Sequence, residues 1–150
     1  MKYTMTVRSP IGPLRLAEED GCLIELTFGT AKTEQPSVFL MHCAHEIQEY
    51  FEGKRNSFDL PLSPVGTDFQ KSVWNELYRI PYGETRTYGE IADAVGSPKA
   101  FRAVGMACNR NPIAIIIPCH RVIGKDKSLT GYAGGLSAKE TLLHLEQNNF

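Results

Sequence analysis

The sequence predicts an α+β fold, in which a small N-terminal antiparallel β-meander plus one helix packs on a mostly helical C-terminal domain with a helix-turn-helix. Three observations predict this fold class. Residues 1–28 alternate in polarity around turn signals, and residues 36–52 repeat apolar side chains with a helical period. Residues 67–109 hold three short helical segments separated by Gly and Pro. A chain of 150 residues has room for one domain or two small ones.

The first 28 residues predict three strands. Residues 1–7 alternate between polar and apolar side chains, and residues 14–17 resume that pattern after a turn rich in Pro and Gly. Asp20-Gly21 is a hairpin signal that leads into a third strand over residues 22–28. We therefore expect an antiparallel meander at the N-terminus.

One helix is predicted to follow the meander. The apolar residues expected on its buried face are Val38, Met41, Ile47, Tyr50 and Phe51. Gly53 suits its C-terminal cap, and residues 58–60 are a candidate short strand. The turn-rich segment 61–66 predicts a boundary between two domains, residues 1–62 and residues 63–150.

Two longer helices are expected at either end of the second half. Residues 67–80 repeat apolar side chains with a helical period up to a Pro-Tyr-Gly turn. Residues 137–147 carry Leu142, Leu143 and Leu145 as core candidates of the last helix.

Two shorter helices lie between them. Thr87 can cap a helix over residues 88–95, and Ser97-Pro98 predicts the start of another that runs to about Asn109. Such a pair is typical of a helix-turn-helix that binds DNA, although helical hairpins of this kind also occur without DNA.

The composition excludes a polycation that coats nucleic acid. The net charge is −1, with −3 over residues 1–66 and +2 over residues 67–150. A local basic face and an ordinary mixed surface both fit these small counts. The N-terminus lacks the apolar segment of a secretory signal, and no apolar run approaches the roughly 20 residues of a membrane span. We therefore expect a cytoplasmic protein with reduced thiols and no membrane contact.

The four cysteines are Cys22, Cys43, Cys108 and Cys119, and a cytoplasmic location favours free thiols over disulfides. The segment His42-Cys43-Ala44-His45 groups three potential metal ligands, but it lacks the spacing of a zinc site. If this segment is helical, its histidines share one face and its cysteine points elsewhere. We expect that helix surface, with no metal and no other cofactor. Cys22 and Cys108 fall in strand-like and helix-like runs that predict core positions.

The most informative stretch covers residues 114–123. Four apolar residues lead to Pro118, and Cys119 and His120 follow at once. Proline suits the first turn of a helix, where backbone N–H groups stabilise a thiolate. One interpretation is a cysteine nucleophile with a histidine base and a carboxylate, for which Glu146 is the candidate. The other is a packed cysteine beside a hydrogen-bonded histidine, because adjacent side chains point in different directions.

A series of collinear motifs favours the first interpretation. The motifs are Gly66-Thr67-Asp68-Phe69-Gln70, Val73-Trp74, Ile80-Pro81-Tyr82-Gly83, Tyr88-Gly89, Arg102-Ala103-Val104-Gly105, Asn111-Pro112, Ile117-Pro118-Cys119-His120-Arg121-Val122, Gly131-Tyr132, Gly134-Gly135-Leu136 and Lys139-Glu140. Over this span the chain resembles the O6-alkylguanine-DNA alkyltransferases, also called methylated-DNA–protein-cysteine methyltransferases. The resemblance implies a ribonuclease H-like N-terminal domain and a winged-helix-like C-terminal domain. It also implies single-turnover repair of O6-alkylguanine, and of O4-alkylthymine, in double-stranded DNA.

The resemblance implies a role for each residue of the chemical centre. Cys119 resembles the family's alkyl acceptor, whose thiolate attacks the carbon on guanine O6. His120 would take the thiol proton through a water, and Glu146 would orient the imidazole. Asn111 would brace the turn through backbone hydrogen bonds. Tyr88 resembles the tyrosine that donates a proton or hydrogen bond to the ring of the departing guanine.

DNA contacts follow from the same resemblance. Arg102 resembles the arginine that fills the space left when the damaged base is flipped out. Ala100 and Ala103 are small enough for close approach of their helix to the minor groove, and Arg121 is a further expected DNA contact. Phosphate contacts should dominate affinity, because repair has to work in any sequence.

The base pocket expected from the resemblance involves Val122, Tyr132, Ala133 and Ala114. Ala114 and Ala133 depart from the Pro and Ser that are frequent in the family, which affects the range of alkyl groups rather than the reaction. We expect a monomer. Two other functions fit these residues: a helix-turn-helix module that binds DNA lesions without chemistry, and a thiol hydrolase that uses Cys, His and Glu. The family also has relatives that bind DNA without reacting and carry Trp in place of the acceptor cysteine. Cys119 excludes this chain from that group.

Overall fold

The structure is a computed structural model that describes residues 2–148. Met1, which the first predicted strand includes, and residues 149–150, at the end of the predicted second domain, lie outside the described residues. The N-terminal part forms a three-stranded antiparallel sheet in the order β1-β2-β3, which confirms the predicted meander. The strands are β1 (Lys2–Val7), β2 (Leu14–Glu19) and β3 (Cys22–Phe28). Asp20 and Gly21 both adopt positive φ, 53° and 78°, as the tight turn between β2 and β3 requires.

Helix α1 (Val38–Phe51) packs on the sheet, and Ser37 caps its N-terminus. The core-facing residues are Leu40, Cys43, Ile47 and Tyr50, which repeat every three or four positions. The predicted face was therefore partly wrong, because Val38 and Met41 are exposed. Val38 begins the helix and points away from the sheet, so the apolar face starts two residues later than expected.

The outer strand β3 connects the two halves of the chain through its backbone. Residues 58–60 form no strand, which corrects the prediction. The pairing occurs further along, where Leu23 donates its N–H to Pro61 O at 2.9 Å and accepts from Ser63 N at 2.9 Å. Leu26 bonds in the same way to Pro112 O and Ala114 N, both at 2.8 Å. The sheet edge therefore fixes the segment that leads to Cys119.

The second half is mainly helical, as predicted. Its elements are α2 (Asp68–Tyr78), β4 (Arg86–Thr87), α3 (Tyr88–Ala94), α4 (Phe101–Asn109), β5 (Val122–Ile123) and α5 (Leu136–Asn148). Thr67 and Thr87 each form a capping box at the start of α2 and α3. Trp74 of α2 donates its indole N–H to Ala107 O of α4 at 2.9 Å, and this bond ties α2 to the helix-turn-helix.

Helix α4 begins three residues later than Ser97-Pro98 predicts. Ser97 N–H bonds to Ala92 O at 2.9 Å and therefore closes α3 instead of opening a new helix. A further turn follows, in which Ala100 N–H bonds to Ser97 O at 2.8 Å. The residue that caps α4 is Ala100, which has no side-chain acceptor to offer.

Candidate active site

The chain enters the site through a buried and tightly turned segment, residues 113–117. Ile115 has a φ of 72°, a left-handed conformation that β-branched residues rarely adopt. Pro118 precedes a single 3₁₀ turn, Cys119–Arg121, in which Arg121 N–H bonds to Pro118 O at 2.9 Å. This path holds the cysteine at the start of a turn inside the protein.

Asn111 spans that segment. Its amide Nδ2 donates to Ile117 O at 2.7 Å and to Cys119 Sγ at 3.3 Å. Its Oδ1 accepts from Ile113 N at 2.9 Å. One buried side chain therefore links both ends of the turn and touches the sulfur.

The Cys119 thiol is buried, and burial raises its pKa above the ordinary value. The hydrogen bond from Asn111 and the positive charge of Lys139 offset part of that effect. The resting side chain is therefore a neutral thiol, and a base has to remove its proton before it can attack.

His120 and Glu146 form a buried pair with 2.7 Å between Nε2 and Oε2. Burial lowers the pKa of His120, and the Glu146 carboxylate opposes this effect. Because an ionised carboxylate only accepts, Nε2 carries the hydrogen of this bond and Nδ1 keeps its lone pair. Nδ1 is buried and has no protein hydrogen-bond partner among residues 2–148. The imidazole is therefore a neutral base with one free nitrogen.

Arg121 is not placed to contact DNA, and the expectation for it is corrected. Its guanidinium is buried and donates to Glu146 Oε1 at 2.7 Å through Nε and to Oε2 at 2.9 Å through Nη2. Nη1 donates to Ile80 O at 2.6 Å. A buried cation with this fork geometry is a structural partner of the carboxylate.

Glu146 is thus surrounded by donors. Burial alone raises its pKa, but hydrogen bonds from His120 and Arg121 and their charges outweigh burial and lower the pKa to about 2. A further donor comes from α1, where Tyr50 Oη lies 2.6 Å from Glu146 Oε2. Periodicity identified Tyr50 as a core residue but gave no sign of this contact.

Lys139 is a site residue that the reasoning from residue types missed. Its ammonium is buried and donates to Val122 O at 2.6 Å and to Thr130 O at 3.0 Å. It also lies 5.9 Å from the centre of the Tyr88 ring. The available signal was its spacing on α5, which puts it on the same helix face as Leu142 and Glu146.

A cavity of about 350 Å³ opens beside the sulfur. It is lined by five of the expected residues, Cys119, Asn111, Ala114, Tyr132 and Ala133. Its volume is at the low end of the about 300–1,000 Å³ typical of small-molecule pockets, which suits one nucleobase. The Tyr132 hydroxyl is buried without a hydrogen-bond partner among residues 2–148, so it is a polar group that a ligand can satisfy. Val122 is buried in β5 and is not among the lining residues.

Tyr88 stands at the start of α3. Its hydroxyl accepts from Thr130 Oγ1 at 2.9 Å, which leaves its own hydrogen available. Burial raises its pKa, so the hydroxyl stays protonated.

The exposed face of α4 carries the residues expected to meet DNA. Arg102 and Ala103 are exposed, and Ala100 is half-buried at the helix start. The Arg102 guanidinium forms no hydrogen bond or ion pair with the described part of the chain. Phe101, beside it, is also half-exposed.

The segment around Cys43 lies on α1, away from the cavity. His42 Nε2 lies 2.8 Å from the buried Glu46 and His45 Nε2 lies 3.7 Å from Glu49, and both imidazoles are exposed. Cys43 is buried, and burial raises the pKa of its thiol to about 12. The cysteine therefore lies in the core, while both histidines lie at the helix surface.

The fold and the site define a class of protein: a two-part α+β chain with a buried Cys-His-Glu centre beside a helix-turn-helix. The chain matches two domains of one family. The "6-O-methylguanine DNA methyltransferase, ribonuclease-like domain" matches residues 1–64, and the "6-O-methylguanine DNA methyltransferase, DNA binding domain" matches residues 68–148. The chain belongs to the 6-O-methylguanine DNA methyltransferase family.

Individual relatives match over almost their whole length. The methylated-DNA–protein-cysteine methyltransferase of Methanosarcina barkeri is 57% identical, over 98% of this chain and 98% of the relative. A constitutive form from Bacillus subtilis is 46% identical, over 100% of this chain and 98% of the relative. The crystal structure of the Mycobacterium tuberculosis O6-methylguanine methyltransferase matches with a TM-score of 0.92 at 47% identity. The match covers 100% of this chain and 95% of the M. tuberculosis chain. The M. tuberculosis OGT structure in complex with DNA matches with a TM-score of 0.91 at 47% identity, over 98% of this chain and 94% of that chain.

Proposed function

We propose that this protein repairs DNA by moving an alkyl group from O6-alkylguanine, or from O4-alkylthymine, in duplex DNA onto its own Cys119. The observation that carries the proposal is a buried thiol that lines a base-sized cavity and is followed directly by a carboxylate-oriented imidazole. The names of the relatives, which are methylated-DNA–protein-cysteine methyltransferases, support the same reaction.

The first step is removal of the thiol proton. The free Nδ1 of His120 accepts that proton through a bridging water, and the ionised Glu146 stabilises the imidazolium that results. The hydrogen bond from Asn111 to Sγ supports the thiolate as it forms.

In the second step the thiolate attacks the alkyl carbon. A sulfur–carbon bond forms as the carbon–O6 bond breaks, and the electron pair of the broken bond stays on the guanine. Tyr88 donates a hydrogen bond to the ring of the departing base, since its raised pKa favours donation over ionisation. The product is a thioether, which water does not hydrolyse, so each molecule reacts once.

The target base has to leave the helix stack before it can reach a buried sulfur. Arg102 fills the vacated space, and the small Ala100 and Ala103 let α4 approach the minor groove. The M. tuberculosis relative is solved in complex with DNA, which supports DNA as the partner of this chain.

We further propose that the chain works as a cytoplasmic monomer of two domains, residues 1–62 and residues 63–150. All four cysteines are free thiols, which suits a reducing compartment. No helix within residues 2–148 is both long enough and apolar enough to cross a membrane.

Stoichiometry distinguishes this function from the two alternatives. The protein is incubated with an excess of O6-methylguanine duplex, and repaired bases and protein adducts are counted together. A transferase stops at one repaired base and one methyl per chain, a binding module repairs none, and a hydrolase repairs many and keeps no adduct. Cys119→Ser should abolish repair, while the matched Cys108→Ser should leave one methyl per chain.

A further inference from the structure

Glu146 receives a hydrogen bond from the other half of the chain. Tyr50 lies on α1, 96 positions before Glu146, and its hydroxyl donates to Oε2 at 2.6 Å. Both side chains are fully buried. The N-terminal part therefore contacts the Glu146 carboxylate directly, through the Tyr50 phenol.

The oxygen that Tyr50 contacts is the same oxygen that orients the base. Oε2 accepts from Tyr50, from His120 Nε2 at 2.7 Å and from Arg121 Nη2 at 2.9 Å. Each donor withdraws negative charge from the carboxylate, so less remains to stabilise a protonated imidazole. A donor that is added or removed here changes the basicity of His120.

The phenol is held rigidly by aromatic neighbours. The Tyr50 ring meets Phe51 and Tyr82 edge to face, at centroid distances of 5.3 Å and 6.2 Å, and lies 5.6 Å from Phe58. Tyr82 also lies under the Arg121 guanidinium, at 5.7 Å. Burial, with the charge of Glu146, raises the pKa of Tyr50 well above its ordinary value, so the hydroxyl remains a donor.

We propose that Tyr50 is a positioning residue of the reactive centre, whose hydroxyl sets the basicity of His120 through Glu146 Oε2. The inference rests on the proposed alkyl transfer. It makes the N-terminal part a functional component of the relay rather than a support for the DNA-binding part.

The sign of the effect follows from the groups around the imidazole. The charged groups that act on His120 are Glu146, Arg121 and Lys139. Tyr50 is neutral, so Tyr50→Phe removes a donor without changing charge. The carboxylate then holds more negative charge, and the titration midpoint of His120 should rise by about half to one pH unit.

The test measures that midpoint directly, by NMR titration of the imidazole in the unreacted full-length protein. The second readout is the pH dependence of the rate of alkyl transfer. Transfer needs neutral His120, so the acid limb should move upward by the same amount. On that limb the rate should fall about 3- to 10-fold, while the plateau at higher pH stays within about twofold.

Two matched variants isolate the hydroxyl. Tyr78→Phe removes a phenol hydroxyl from the exposed side of α2, and Phe51→Leu loosens the packing around Tyr50 without touching Glu146. Neither should move the midpoint. A purely structural role for Tyr50 would lower stability and the rate at every pH without moving the midpoint, and that result overturns the proposal.

A second substitution gives the opposite sign and does not remove the side chain. 3,5-Difluorotyrosine at position 50 is a stronger donor, so the His120 midpoint should fall. If Tyr50→Phe does not fold, this variant decides: a lower midpoint supports the proposal, and an unchanged one overturns it. If the wild-type protein transfers no alkyl group, the proposed function fails, whereas the NMR midpoints still decide whether Tyr50 controls His120.

Discussion

Gly134 lies where a loop closes against the base-sized cavity, and Gly134→Ala tests that packing. A Cβ at this position would lie 2.5–2.8 Å from three atoms of the Phe28 ring. Carbon atoms prefer separations of about 3.5–4.0 Å, so the ring or the loop has to move by roughly 1 Å. Phe28 lines the cavity and meets Tyr132 edge to face, with 5.5 Å between centroids. The movement therefore changes the pocket.

We expect Gly134→Ala to lower the free energy of unfolding by about 1–3 kcal/mol, the usual cost of overpacking a well-packed region. Alkyl transfer should slow as well, for duplex DNA and for free O6-methylguanine alike, because the pocket for the base is altered. Urea unfolding and single-turnover rates measure the two effects.

Gly131 provides the matched control in the same loop. A Cβ there meets nothing within 4 Å, so Gly131→Ala should keep the wild-type stability and rate. Phe28→Ala removes the obstructing ring, and in that background Gly134→Ala should cost clearly less than it does alone. Equal effects of the two alanines, or the same cost with and without the Phe28 ring, would refute the packing argument.

Three further predictions concern acid, DNA and the reaction product. The pKa of Glu146 falls from 4.5 to about 2 on folding, and the pKa of His120 is also lowered. Each group therefore favours the folded state most when the solution pH is above its ordinary pKa. Unfolding free energy should decline below about pH 6.5, with roughly 3 kcal/mol lost as pH falls from 4.5 towards 2, and stability that stays constant down to pH 3 would contradict this. Arg102→Ala should slow repair of duplex DNA strongly and reaction with free O6-methylguanine weakly; equal losses would indicate a folding defect instead. Methylation of Cys119 crowds a buried sulfur in contact with Asn111, so it should lower the melting temperature, by about 2–12 °C for a cost of about 1–3 kcal/mol. A benzyl adduct should lower it further, and unchanged melting would show a roomier site.

Much of the fold is predictable because its signals are local. The turn at Asp20-Gly21 and the cap at Thr87 each depend on residues within four positions, and both are confirmed. The start of α4 is local as well, yet Ser97 was misleading. Its N–H is already bonded to Ala92 O, and the sequence does not show which of two adjacent helices a capping residue serves.

The chemical centre is less predictable because its contacts join distant residues. The motif around Cys119 and His120 is visible as a pattern, but the roles of Arg121 and Tyr50 depend on which side of Glu146 each one reaches. A basic residue next to a reactive cysteine is expected to meet the anionic substrate. Here burial decides otherwise, because a guanidinium without solvent needs the nearest carboxylate.

The burial of Lys139 is another feature of the site that the sequence does not predict. Charged residues on a terminal helix are normally exposed, so its burial is unexpected from residue type alone. The two carbonyls that satisfy its ammonium belong to Val122 and Thr130, 17 and 9 positions away. Only the assembled structure brings these acceptors together.

The most direct test of the account is to locate the transferred group. The protein is reacted with a duplex that carries deuterated O6-methylguanine, digested, and sequenced by tandem mass spectrometry. Cys108 is the informative internal comparison, since it lines the same cavity as Cys119, while burial raises the pKa of its thiol and it has no adjacent base. We expect one deuterated methyl per chain, on Cys119 alone. A label on Cys108 at comparable yield, or repaired DNA with an unlabelled protein, would contradict it.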